Sequence, residues 1–121
     1  MRFSAFVFLF GSGFAAACSP SVTTACDDYA QAYCSQNLTC LTGNDLQAFV
    51  NQFGDTVDLC VASYENYNHC AAGEAPCATG LTYDTNQVEQ CASDYKNASC
   101  LDVSQPGFQP DSCAPDKVCH E

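Results

Sequence analysis

Eleven cysteines in a chain of 121 residues decide how it can fold. Cysteine above about 8 per cent of a short chain marks a disulfide scaffold of an oxidising, exported environment. An odd number cannot close on itself, so the position of the extra thiol is informative. The sequence isolates one: Cys18 follows Phe14-Ala15-Ala16-Ala17 and divides an apolar leader from an acidic remainder. With Cys18 set aside, Cys26, Cys34, Cys40, Cys60, Cys70, Cys77, Cys91, Cys100, Cys113 and Cys119 can pair completely. Each bridge is worth about 2 to 4 kcal/mol, largely by restricting the unfolded chain. Bridges therefore dominate the expected stability of a domain that has no Trp and few Leu or Ile.

Residues 1–17 read as a signal peptide, with Arg2 alone in the n-region, an apolar run from Phe3 to Phe14 and small residues before the cut. The run falls short of the roughly 20 apolar residues that span a bilayer. The junction Ala15-Ala16-Ala17-Cys18 resembles the lipobox of bacterial lipoproteins, with alanine where that family favours leucine. The resemblance implies a diacylglycerol thioether on Cys18 and an acylated new amino group, and two or more chains anchor stably where one does not. Ser19 after the anchor implies sorting to the outer membrane. Ala15-Ala16-Ala17 is also an A-x-A site for ordinary signal peptidase, which would release a soluble protein with a thiol at Cys18. Parity favours the lipid, and the soluble product is the alternative.

All fourteen acidic residues follow position 17, where only Lys96 and Lys117 oppose them. Such a surface repels phosphate backbones, so nucleic acid is excluded as a partner. The expected partners are the membrane, through lipid on Cys18, and an unidentified protein or envelope component.

The expected fold class is mainly α: a small disulfide-rich domain of about three helices with an irregular C-terminal tail. Residues 18–23 form a tether from the lipidated cysteine, and 24–121 form the stapled domain. Thr24, with Asp27 three places on, predicts a capped helix over 24–37, on which Cys26, Tyr29, Ala30 and Tyr33 share a face. Asn44 and Gln47 predict a second start. Leu46, Phe49, Val50, Phe53, Val57, Cys60, Val61 and Tyr64 then form one apolar stripe over 45–68, with a kink or break at Gly54. Gly73, Pro76 and Gly80 predict a loop to Tyr83. A third helix, capped by Asp84 or Thr85, carries Val88, Cys91, Ala92 and Tyr95 and fades near Cys100. Residues 101–121, rich in proline, are expected to be irregular and held by Cys113 and Cys119.

A weak repeat runs through the helices. Cys60 with Tyr64 and Cys91 with Tyr95 each place a tyrosine one turn from a cysteine, and Cys26 to Cys34 with Tyr29 and Tyr33 is a looser copy. An antiparallel pairing of the second and third helices through Cys60–Cys100 and Cys70–Cys91 is the connectivity this repeat suggests, among many hundreds available.

The spacing of the cysteines from Cys26 to Cys113, with the segment Phe53-Gly54-Asp55 to Cys60 and the helix Gln87-Val88-Glu89-Gln90-Cys91, resembles the small cysteine-rich lipoproteins of myxobacteria and related Deltaproteobacteria. The resemblance covers most of residues 18–121 and implies a compartment and an architecture, with no activity attached.

Residues that carry chemistry are few. No two cysteines stand two residues apart, as zinc ribbons and thioredoxin-like sites require. His69 and His120 neighbour cysteines expected in bridges, which leaves no thiolate for a Cys-His pair. The one glycine-flanked serine, Ser12, lies in the leader. Asp27-Asp28 and the pair Asp55 and Asp58 are carboxylates of the kind that hold calcium or act as acid and base, but more often they are solvated helix residues. Asn37-Leu38-Thr39 and Asn97-Ala98-Ser99 are glycosylation sequons, relevant to a secreted protein. The expected function is that of a non-enzymatic, membrane-anchored envelope lipoprotein with an interaction or structural role, without cofactor, metal site or catalytic residue. The alternative is a soluble, secreted, disulfide-rich effector or inhibitor-like protein.

Overall fold

A computed structural model describes residues 18–121; the signal-peptide reading concerns residues that lie outside these. The first helix, α1 (Val22–Cys40), begins two residues earlier than Thr24 would place it. Ser21 is the cap: its hydroxyl accepts from the Thr24 amide at 3.1 Å, so Thr24 sits inside the first turn. The segment before the helix, expected to be residues 18–23, is accordingly residues 18–21. At the other end α1 runs three residues past Asn37, to the bridge at Cys40.

The long stripe over 45–68 is two helices, α2 (Gly43–Phe53) and α3 (Val57–Asn68). Gly54 breaks it with φ +104°, and a Cβ there would stand 2.7 Å from the Leu59 Cβ. Only glycine fits both the left-handed backbone and the close approach. α3 restarts on its own cap, the Thr56 hydroxyl accepting from the Leu59 amide at 3.2 Å. α2 starts at Gly43 after Thr42, without a side-chain cap bond, so Asn44 lies within its first turn and does not cap it.

After α3 the chain makes a 3-10 turn at Cys70–Ala72, then crosses a loop to β1 (Thr82–Tyr83). Asp84 caps α4 (Thr85–Asn97), accepting from the Gln87 amide at 3.0 Å, as its position before the helix predicts. The tail is more ordered than its prolines suggest. Ser99 caps the single turn α5 (Cys100–Val103), a 3-10 turn spans Asp111–Cys113, and Pro115 opens α6 (Pro115–Val118). β2 (Cys119–His120) then pairs antiparallel with β1, Thr82 opposite His120 and Tyr83 opposite Cys119.

α1 is the hub. On one side Ala30 and Cys34 pack with Phe49, Cys60 and Val61; on another, Ala32 and Cys40 pack with Ala92, Tyr95 and Val103. The bridges follow this arrangement: Cys26–Cys70, Cys34–Cys60 and Cys40–Cys100 leave from α1, while Cys91–Cys113 and Cys77–Cys119 secure the tail. The pairing Cys60–Cys100 with Cys70–Cys91 is therefore wrong. It assumed that α3 and α4 face each other, whereas each packs chiefly on α1. The largest fully buried side chains are Cys34, Cys60 and Cys70, so sulfur fills the centre that larger aliphatics occupy elsewhere. The fold is that of a small, mainly helical, disulfide-rich domain.

Candidate functional site

Among the described residues Cys18 is the cysteine outside the five bridges, and it is exposed. It stands three residues before the cap of α1. Ser19, its neighbour, accepts a hydrogen bond from the Asn86 amide group in the first turn of α4, at 2.9 Å. The start of the described chain is thus held against the N-terminal end of α4. That end is also where the strands meet: the His120 ring Nε2 lies 3.2 Å from the Asp84 carboxylate. The Gln87 amide first, and His120 second, hold the Asp84 carboxyl below its usual range, while Asp84 raises the His120 imidazole.

The adjacent carboxylates Asp27 and Asp28 do not act as a pair. They diverge around α1, Asp27 meeting Glu65 of α3 and Asp28 meeting Glu89 of α4. Partial burial, then the hydrogen bond and charge of the facing aspartate, raise both glutamates, and Glu89 reaches about 7. Two carboxyls in hydrogen-bond contact need a proton between them. The Asp28–Glu89 contact lies in an open groove between α1 and α4, of about 470 Å³, with Lys96 also on its wall. Asp55 and Asp58 are exposed at the α2–α3 corner. No group of three or more His, Cys, Asp and Glu side chains placed to hold a metal occurs among the described residues. His69 occupies a left-handed corner, φ 59°, at the end of α3.

The tyrosines of the repeat converge. Tyr29, Tyr33, Tyr64 and Tyr95 lie with ring centroids 5.5–6.1 Å apart in contacting pairs, extended by Phe49 and Phe53 at one end and Phe108 at the other. Burial, and for Tyr29, Tyr33 and Tyr64 also the neighbouring phenols, raises all four hydroxyls above their usual range. Each cysteine–tyrosine step thus delivers its sulfur to a bridge and its ring to a common aromatic seam, a packing role for the repeat.

The seam ends in a cavity of about 310 Å³ under the turn that follows α5, between Tyr33, Asn37, Tyr95 and Phe108, with Asp45 also on its lining. The sequence marks Asn37 only as a sequon. In the structure it is 6 % exposed, and its amide nitrogen donates to the Tyr33 carbonyl at 2.8 Å and to the Tyr95 hydroxyl at 3.0 Å. Both amide hydrogens are thereby committed, so a glycan on Asn37 is incompatible with this fold. Asn97 is exposed as the last residue of α4. The spacing of Tyr33 and Asn37 along one helix face is a signal for the cavity, but Phe108 arrives from the tail without one.

No protein-family model, curated protein or solved structure matches the chain. What the fold defines is a class: a mainly helical domain closed by five disulfides, suited to an oxidising, exported environment. Among the described residues no helix is long and apolar enough to cross a membrane.

Proposed function

We propose that this protein is a non-enzymatic envelope lipoprotein of the cysteine-rich kind found in myxobacteria and their relatives, held to the outer membrane by lipid on Cys18. The observation that carries this reading is the isolation of Cys18: ten sulfurs are used in five bridges, and the eleventh is exposed behind a lipobox-like sequence. The short tether gives the anchor a mechanical meaning. With Ser19 bonded to Asn86 and α1 beginning at Val22, little chain separates the acylated residue from the folded domain. A lipid at Cys18 therefore holds the domain close to the bilayer. Its acidic exterior faces the solvent and any basic or cationic envelope partner.

Expression in a lipidating host with intact-mass analysis tests the reading. The expected product starts at Cys18, carries the mass of a diacylglycerol and an amide-linked acyl chain, and partitions with membranes; Cys18→Ser loses both properties. A product cut before Cys18 but bearing a free thiol would overturn the anchor and leave the soluble secreted reading.

A further inference from the structure

The open pocket at the end of the aromatic seam presents a hydrogen-bond acceptor, a carboxylate and aromatic rings. Tyr33, Tyr95 and Phe108 line one side, with Tyr33 and Tyr95 5.6 Å apart between centroids and Tyr95 and Phe108 likewise, while Leu41 and the turn from Val103 to Gly107 line the rest. Its floor is Asn37, more than nine-tenths buried. The orientation of that amide is fixed by chemistry, because the Tyr33 carbonyl can only accept and so the nitrogen must face it. The amide oxygen is left on the other side, and no donor of the chain bonds it. No buried side-chain oxygen among the described residues lacks a partner, so this one is reached from the cavity it lines. With no donor from the chain, that oxygen accepts from water or from a ligand N–H that enters the pocket. Asp45 adds a carboxylate to the lining, and neither lysine reaches it.

We propose that this cavity binds a compact organic cation, a primary alkylammonium whose N–H donates to the Asn37 Oδ1 while its charge and alkyl body lie against the faces of Tyr33, Tyr95 and Phe108. Aromatic faces attract a cation held within about 6 Å. The volume of about 310 Å³ is at the low end of small-molecule sites, which admits a ligand of a few heavy atoms and rejects larger amphiphiles. An anion meets an acceptor floor, a carboxylate and the negative ring faces, and is refused on all three counts.

The probe is n-butylammonium chloride, titrated into the oxidised protein purified from a secretion host and followed by amide chemical shifts in about 150 mM salt, where surface charge is screened beyond roughly 8 Å. The expected result is saturable binding with Kd on the order of 1 mM for so small a ligand. Shifts should centre on Asn37, Tyr95, Val103 and Phe108, with n-butanol at least about tenfold weaker and butyrate silent. Asp45→Asn, on an exposed residue whose loss leaves folding intact, should weaken binding about two- to fivefold. Phe108→Leu should weaken it about threefold or more. Equal binding of n-butanol, no saturable shift at all, or shifts centred on Asp28 and Glu89 instead would each overturn the assignment. The last outcome would identify counter-ion accumulation in the acidic groove.

Discussion

At φ +104°, with the Leu59 side chain where a Cβ would go, Gly54 carries the corner between α2 and α3. Gly54→Ala should cost about 1 to 3 kcal/mol from backbone strain alone, more with the clash, and urea titration of the oxidised protein measures it. A residue whose backbone is unstrained would respond far less. The Asp28–Glu89 contact is a second residue-scale lever. Because Glu89 in the fold titrates at about 7, above an unfolded glutamate, the native state holds the extra proton between the two values. That contribution to stability is complete below the ordinary glutamate range and is lost as pH rises to about 7. Glu65, raised by burial and by Asp27, acts in the same direction. The melting temperature should therefore fall as pH rises through this window. Glu89→Gln, which keeps a hydrogen-bond donor toward Asp28, should flatten the fall, and a variant in which the slope is unchanged would show that Asp28 and Glu89 share no proton.

Between elements, the bridges separate two explanations of disulfide stability. Cys34–Cys60 joins α1 to α3 across 26 residues with both sulfurs fully buried, whereas Cys77–Cys119 ties the loop to β2 across 42 residues near the surface. Chain entropy alone favours the longer loop, by a few tenths of a kcal/mol. Packing favours the buried pair, whose removal opens a cavity at the centre. Replacing each pair with alanines should cost about 2 to 5 kcal/mol for Cys34–Cys60 and less for Cys77–Cys119, a ranking that calorimetry can read. The reverse ranking would mean that loop entropy outweighs packing. Elements were legible where their signals are local. Asp84 before α4, Gly54 in the stripe and the cysteine–tyrosine steps all act within a turn of themselves. Connectivity was not legible, because which helix lies between the other two depends on small residues such as Ala30 and Ala32 letting α3 and α4 approach α1 from separate sides. The cavity was half legible: Tyr33 and Asn37 share a face of α1, but Phe108 comes from a tail with no period to place it.

Across the whole molecule, bridges and charge oppose each other. The interior is mostly alanine, valine and cystine, while in residues 18–121 fourteen carboxylates stand against two lysines, Lys96 and Lys117. Net charge of this size pushes a compact state apart, and a small apolar core resists weakly on its own. What holds the helices around α1 is that three bridges leave it, toward the turn after α3, α3 itself and α5. Reduction frees every one of these connections at once and restores the loop entropy the bridges had removed. The reduced chain at neutral pH should therefore lose its cooperative melt and most of its far-ultraviolet helical signal, along with the near-ultraviolet signal of the packed tyrosines. Added salt, by screening the carboxylates, should restore part of the helix but not the tyrosine packing. A reduced protein that still melts cooperatively with its tyrosine signal intact would show that the aromatic seam, not the sulfurs, is what keeps the helices together.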